Sequence, residues 1–433
     1  MLRRRRVTHL NRPLNVLRRR IATAVGAVLL GLVALGFAKV GDFAQRVFGR
    51  MVAVWPYAPL IVTPAVFAGV MLLTVRWSAE ARGSGIPQVT AATRDPEAAA
   101  KGPLTSMKTA LAKFGLTIAM LFAGGSVGRE GPTVQISAAL MVAVHRLLRV
   151  PISAGVLIAG GAAGVAAAFN TPLAGVAFAI EELASAYEQR VAVLVMAAVM
   201  IAGLVSLGIA GDYVYFGVMH QTLGVAAMIV ICPVAGIVGG ASGGMFTRIV
   251  LAFALPRHPL LQRVRTRPVL LAGACGLIVA VVGIATGGGT WGTGYGTTRS
   301  LVEGGGATLW FGPAKALATL ATTLSGTPGG IFAPSLAVGA GLGNLLTPIF
   351  SDSPAGAVVL LGMVAYFTGV VRAPLTAVII ISEATASRGM IVPLFATALI
   401  ADGVSALVSR ERLYHGLAKP FLAAARPAPE PAG

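Results

Sequence analysis

Gly128-Arg129-Glu130-Gly131-Pro132 has a counterpart 202 residues further along the chain, Gly330-Ile331-Phe332-Ala333-Pro334. The same offset carries Pro172-Leu173 onto Pro374-Leu375 and Gly160 onto Gly362. In a chain with 55 glycines one match means little, but three anchors in one register mark an internal repeat. A looser echo links Gly83-Ser84-Gly85-Ile86 to Gly292-Thr293-Gly294-Tyr295. The first stretch is built to begin a helix: Gly131 permits an unusual backbone, and Pro132 suits a first turn, where a missing N–H is not needed. Apolar residues 114 to 127 and 133 to 144 enclose Glu130. A carboxylate at membrane depth is costly unless it faces protein or a water-filled path, which makes Glu130 a candidate functional residue.

That the setting is a membrane follows from composition. Of 433 residues 56% are hydrophobic and only 11% charged, more apolar surface than a soluble domain can hide. Glycines and 25 prolines on this scale permit close helix contact and helices that stop partway across, which favours transport over simple anchoring. The net charge of +19 gathers where loops are expected. Eight arginines lie in the first 20 residues and no acid precedes Asp42, which places the N-terminus in the cytoplasm by the positive-inside rule. Arg257, Arg263, Arg265 and Arg267, then Arg410, Arg412 and Lys419, form two further basic segments expected on the same side. No basic soluble domain carries a nucleic-acid role, and no cleavable signal is expected. Cys232 and Cys275 lie in apolar runs without metal spacing, and none of the five histidines sits mid-helix as a proton relay.

The expected order is a basic N-terminus (1–20), a first membrane repeat (21–210), a connection (211–221), a second repeat (222–420) and a disordered tail (421–433). Spans are expected at 21–38 and 58–75, with a polar loop from Arg76 to Lys113. Residues 222–255 form a long tilted or broken helix around Pro233, and Gly287 to Thr298 reads as a loop without the lysine of a phosphate cradle. The fold class is therefore an all-α polytopic membrane protein of two inverted-topology repeats with many tilted, membrane-interrupted helices. Helix starts at Ser84, Glu130 and Ile331 would present partial positive charge to one place, a setting for an anion.

GSGIP at 83–87, GREGP at 128–132, GIFAP at 330–334 and Tyr414 occur in the order found in the CLC chloride channels and chloride/proton antiporters, which the chain resembles from about Arg18 to Lys419. The resemblance implies a homodimer whose subunits each enclose an ion pathway, in a bacterial inner membrane with both termini cytoplasmic. It implies that Ser84 Oγ, Tyr414 OH and the backbone N–H groups of Ile331 and Phe332 bind chloride. It makes Glu130 the gate and Glu182 the internal proton relay, supported by Gly128, Arg129, Gly131 and Pro132. Its ligands are chloride and protons, its surroundings membrane lipid; no cofactor, metal, nucleic acid or enzymatic activity is implied. Serine in the first motif looks like the chloride-selective form and weakens fluoride export. Gln88 stands where many members carry an acid, and no regulatory nucleotide-binding pair follows the membrane part, as in compact prokaryotic members.

Blander roles compete at each position. Ser84 could cap a helix, Tyr414 could sit in an interfacial belt, and Glu181-Glu182 could end a helix in water. Arg129 could pair with Glu130 or another carboxylate, or only position its loop. Glu383, at the repeat offset from Glu181, is expected to be structural; Lys113 could lend positive potential or snorkel. A passive chloride channel of the same architecture is the main alternative function. Gly240-Ala241-Ser242-Gly243 matches the GxSG of intramembrane serine proteases, but no histidine lies in an apolar segment to activate Ser242, and glycine packing explains 239–244 better.

Overall fold

A computed structural model describes residues 2–184, 189–211, 214–256 and 259–425; Arg257 and His258 fall outside them. The first half holds α1 (Leu2–Val54), α2 (Pro59–Trp77), α3 (Ile86–Arg94), α4 (Pro96–Lys101), α5 (Met107–Phe122), α6 (Glu130–Leu147), α7 (Ala154–Phe169), α8 (Pro172–Phe178) and α9 (Gln189–Ala210). The second holds α10 (Val225–Ala254), α11 (Pro259–Arg265), α12 (Pro268–Ala285), α13 (Tyr295–Val302), α14 (Phe311–Leu324), α15 (Phe332–Leu346), α16 (Ala355–Val371), α17 (Pro374–Ala384), α18 (Ile391–Val408) and α19 (Leu413–Ala425).

Six of the described helices are long and apolar enough to cross a membrane, among them Asn15–Val54, Pro59–Trp77, Val225–Ala254 and Pro268–Ala285. The first is far longer than the span expected at 21–38, because no proline or glycine turn interrupts the pattern before Trp55-Pro56. Pro233 leaves α10 continuous. At the other end α19 runs through Ala425 with Pro420 inside it, so residues 421–425 are helical rather than tail; 426–433 lie outside the described residues.

Shorter helices form the centre. Every residue of α7 from Gly155 to Phe169 and of α16 from Gly356 to Val371 is buried, as expected of helices that are apolar all round. Contact is backbone to backbone. A methyl added at Gly339 of α15 would lie 2.6 Å from Met363 Cα of α16, and one at Gly160 of α7 would lie 3.0 Å from Ala138 Cα of α6. The repeat anchors Gly160 and Gly362 thus sit at equivalent helix crossings, where small residues let main chains approach. Gly239, Gly240, Gly243 and Gly244 of α10 likewise abut α16 and α18, and Ser242 Oγ donates to Val238 O at 2.6 Å within its own helix.

The halves match in detail. Asn170 and Arg372, one offset apart, both end their helices in the left-handed conformation (φ 57° and 59°), before Pro172 and Pro374 open α8 and α17. Glu181 then crosses to the other repeat: Oε1 accepts from Leu375 N at 2.9 Å and Oε2 from Thr376 N at 2.7 Å. Glu383 returns the exchange, accepting from Ala174 N at 3.1 Å. Each acid neutralises the positive N-terminus of its partner helix, so the structural role expected for Glu383 is the one observed. Gly128 N donates to Gly330 O (2.7 Å) and Gly330 N to Gly128 O (2.8 Å), an antiparallel bridge that joins the repeats at their shared motif.

Candidate anion and proton site

The bridge brings the starts of α6 and α15 together. Glu130 is itself the first residue of α6, as expected, and besides its own backbone N–H its carboxylate meets the other repeat. It reaches across: Oε2 accepts from Ala333 N of α15 at 3.4 Å, and Tyr295 OH donates a short hydrogen bond to Oε1. The carboxylate therefore occupies one of the free N–H positions that every helix start leaves. Gly131 adopts no left-handed backbone; glycine is needed because a methyl there would lie 3.0 Å from Ser84 O. Gly128 meets the same crowding, 3.2 Å from Pro334 Cδ, and Pro132 is buried in the first turn.

Arg129 is not the hydrogen-bond partner of Glu130. Nη1 donates to Asp42 Oδ1 at 2.7 Å and Ala38 O at 2.8 Å, and Nη2 donates to Tyr215 OH at 2.9 Å. Its guanidinium also lies 5.4 Å from the ring centroids of both Tyr215 and Tyr295. A buried cation held in this way, with only Nε left unbonded, ties α1, the segment after α9 and the start of α13 to the motif loop.

The Ser84 loop is held from three sides. Lys113, wholly buried rather than snorkelling, donates Nζ to Gly83 O at 2.8 Å. Gln88 donates to Arg82 O at 2.6 Å and Glu80 O at 2.9 Å, and Gln135 to Glu80 O at 3.2 Å. Gln88 thus serves the loop's backbone with its amide, a bond a carboxylate could not donate. Gly85 takes φ 102° at the N-cap of α3. The echo in the second half repeats this construction: Gly294 takes φ 86° at the N-cap of α13, and Lys315, at the repeat offset from Lys113, donates to Gly292 O at 2.8 Å. Part of the stretch read as a loop is therefore helix, and Tyr295 begins it.

Ser84 Oγ and Tyr414 OH are buried with no hydrogen-bond partner, the serine 8% exposed and the tyrosine fully enclosed. Both line a cavity of about 600 Å³ together with Ile331, Gly330, Gln88 and Arg82. Burial excludes both the capping role for Ser84 and the interfacial belt for Tyr414: Ser84 precedes the N-cap without a bond, and Tyr414 touches no outer surface. Phe332 is the hub of an aromatic cluster, its ring 5.0 Å from Phe367 and 6.1 Å from Tyr414, which fixes the start of α15 beside the cavity. Orphaned hydroxyls are costly in a protein interior, and two of them at a helix start form a setting for a polar, electron-rich guest.

Glu182 stands apart from this cavity. It lies in a π-helical turn, Ala179–Leu183, that ends α8 and turns one acid towards α17 and the next inward. Its carboxylate is fully enclosed and without hydrogen bonds, and the nearest basic group is His415 Nδ1, 3.5 Å from Oε1. The reading of Glu181-Glu182 as a solvated helix end fails for both residues. Tyr295 and His415 were missed in the sequence. The first was signalled by the GTGY echo and the second only by standing next to Tyr414; no apolar helix marks either.

Residues 65–406 match the profile described as voltage gated chloride channel. The chain is 30% identical over 429 residues to the H(+)/Cl(-) exchange transporter ClcA of Yersinia pseudotuberculosis serotype IB (strain PB1/+), covering 92% of this chain and 86% of that protein. ClcA of Yersinia pestis gives the same identity and coverage. Among solved structures a slow cyanobacterial Cl-/H+ antiporter superposes with a TM-score of 0.77 at 22% identity, over 94% of this chain and 98% of that one. A CLC-type fluoride/proton antiporter superposes at 0.76 with 20% identity, over 93% and 98%. These neighbours share the helical fold described above. Profile, relatives and fold agree: the chain belongs to the voltage-gated chloride channel family, a family of membrane transport proteins and not of enzymes.

Proposed function

We propose that this protein exchanges chloride for protons across a membrane. The observation that carries the reading is the pair of unpartnered hydroxyls, Ser84 Oγ and Tyr414 OH, on one cavity beside the start of α15, whose Ala333 N–H receives the carboxylate of Glu130. Chloride binds between the two hydroxyls and the backbone N–H groups of Ile331 and Phe332. Glu130, when ionised, takes the position of an anion at the same helix start; on protonation it loses its charge and its hold on the N–H groups, and the pathway opens. Glu182, fully enclosed, exchanges protons with the interior. Relatives named as H(+)/Cl(-) exchangers support this assignment over a passive channel. The working form is a homodimer in a bacterial inner membrane, with both termini cytoplasmic and lipid against the outer helices.

The test is paired anion and proton flux in liposomes. A chloride gradient alone drives protons uphill in the wild type. Glu130→Gln keeps anion passage but loses coupling, and Glu182→Gln loses proton movement. Chloride flux without proton movement in the wild type would leave the channel reading in place, and preference for fluoride over chloride would overturn the role given to Ser84.

A further inference from the structure

We propose that His415 is the group that delivers protons to Glu182 and takes them away. The inference rests on the reading of Glu182 as the internal proton relay. Glu182 is completely enclosed, so its protons need a carrier, and among the described residues His415 is the basic side chain within 4 Å of its carboxylate. His415 is 35% exposed, and its Nδ1 lies 3.5 Å from Glu182 Oε1 with neither atom engaged in a hydrogen bond. The same ring borders a cleft of about 190 Å³, lined also by Thr90 and Arg94 of α3 and by Glu411, Ala418, Lys419 and Leu422. One face of the imidazole thus meets the buried acid and another a water-sized opening.

The other charged groups around the pair do not serve. Glu411 is engaged by Lys419 in an ion pair, and Glu181 is taken up by the N-terminus of α17. Arg94 lines the cleft, and a guanidinium is not a proton carrier. Imidazole is the side chain that gains and loses a proton within that range. Tyr414, the residue before His415, lines the anion cavity. In the transfer the protonated ring gives the proton on Nδ1 to Oε1, leaving a neutral carboxylic acid and a neutral imidazole. Water or buffer in the cleft then returns a proton to the ring. The reverse sequence carries protons the other way.

Paired fluxes in liposomes test this with full-length protein and the variants His415→Ala, His415→Gln and Glu182→Gln. In both histidine variants the ratio of proton to chloride flux falls roughly tenfold or more, the loss expected when a positioned acid–base group is removed. Imidazole added on the α19 side restores proton flux in His415→Ala, a rescue that a merely structural histidine would not show. Wild-type proton-to-chloride ratios in both histidine variants, with Glu182→Gln proton-dead, overturn the proposal and leave the Glu182 reading intact. Loss of both fluxes in parallel without imidazole rescue also overturns it, since the ring then only holds α19. Intact proton flux in Glu182→Gln sinks the relay reading itself.

Discussion

Replacing Tyr295 by phenylalanine removes a single atom from the surroundings of the proposed gate, the phenolic oxygen that donates to Glu130 Oε1. The ring itself keeps its neighbours: it packs 5.1 Å from Tyr215 and 5.3 Å from Phe216, and Arg129 still lies over its face. What changes is the balance between the ionised and neutral carboxyl. A hydrogen bond to a charged group contributes about 1.5–3 kcal/mol, and it favours the ionised form over the neutral one. Without it the remaining supports of the carboxylate are its own backbone N–H, the long bond from Ala333 N and the charge of Arg129, itself shared with Asp42. Less acid is then needed to neutralise Glu130. At about 1.4 kcal/mol for each pH unit, the midpoint of chloride flux against external pH moves upward by about one to two units. The assay is initial chloride efflux from liposomes across a pH series, with size-exclusion profiles to establish folding. An unchanged midpoint in folded Tyr295→Phe would refute the claim that the phenol holds the carboxylate. A downward shift would show that the phenol favours the neutral acid instead.

Four further outcomes follow from the geometry. Lys113→Met removes one of the two donors to Gly83 O and leaves the bond from Gly329 N, so thermal stability falls by about 1 kcal/mol and chloride affinity measured by calorimetry weakens. Glu181→Gln removes the charge that caps α17 and lowers stability by about 1 kcal/mol in thermal unfolding, with proton-to-chloride coupling unchanged. Gly339→Val forces α15 from α16 and destabilises by at least about 1–3 kcal/mol, seen as lost monodisperse protein or a lowered Tm. Ser84→Ala with Tyr414→Phe removes both unpartnered hydroxyls from the cavity and reduces calorimetric chloride binding at least tenfold, about 1.4 kcal/mol, while unchanged affinity would remove both residues from the proposed anion site.

Membrane character, the repeat and the place of Glu130 were legible in the sequence because each is a local signal. Apolar runs measure themselves against the thickness of a bilayer, and a glycine that lets two main chains touch leaves the same mark in both halves, as Gly160 and Gly362 do. The helix starts were legible for the same reason, since proline and glycine act on their own backbone. What neighbours do to one another was not. Nothing in Glu181-Glu182 says that the first acid caps a helix 194 residues away while the second is shut inside, because a π-helical turn sets their directions. Arg129 follows Gly128 and precedes Glu130, yet its charge goes to Asp42 on α1. Tyr295 and His415 gained their roles from the approach of α13 to α6 and of α19 to the end of α8. Chain order determined where helices begin and which residues are costly to bury; only the folded packing decided which partner each buried charge meets, because that choice depends on distances between segments far apart in sequence.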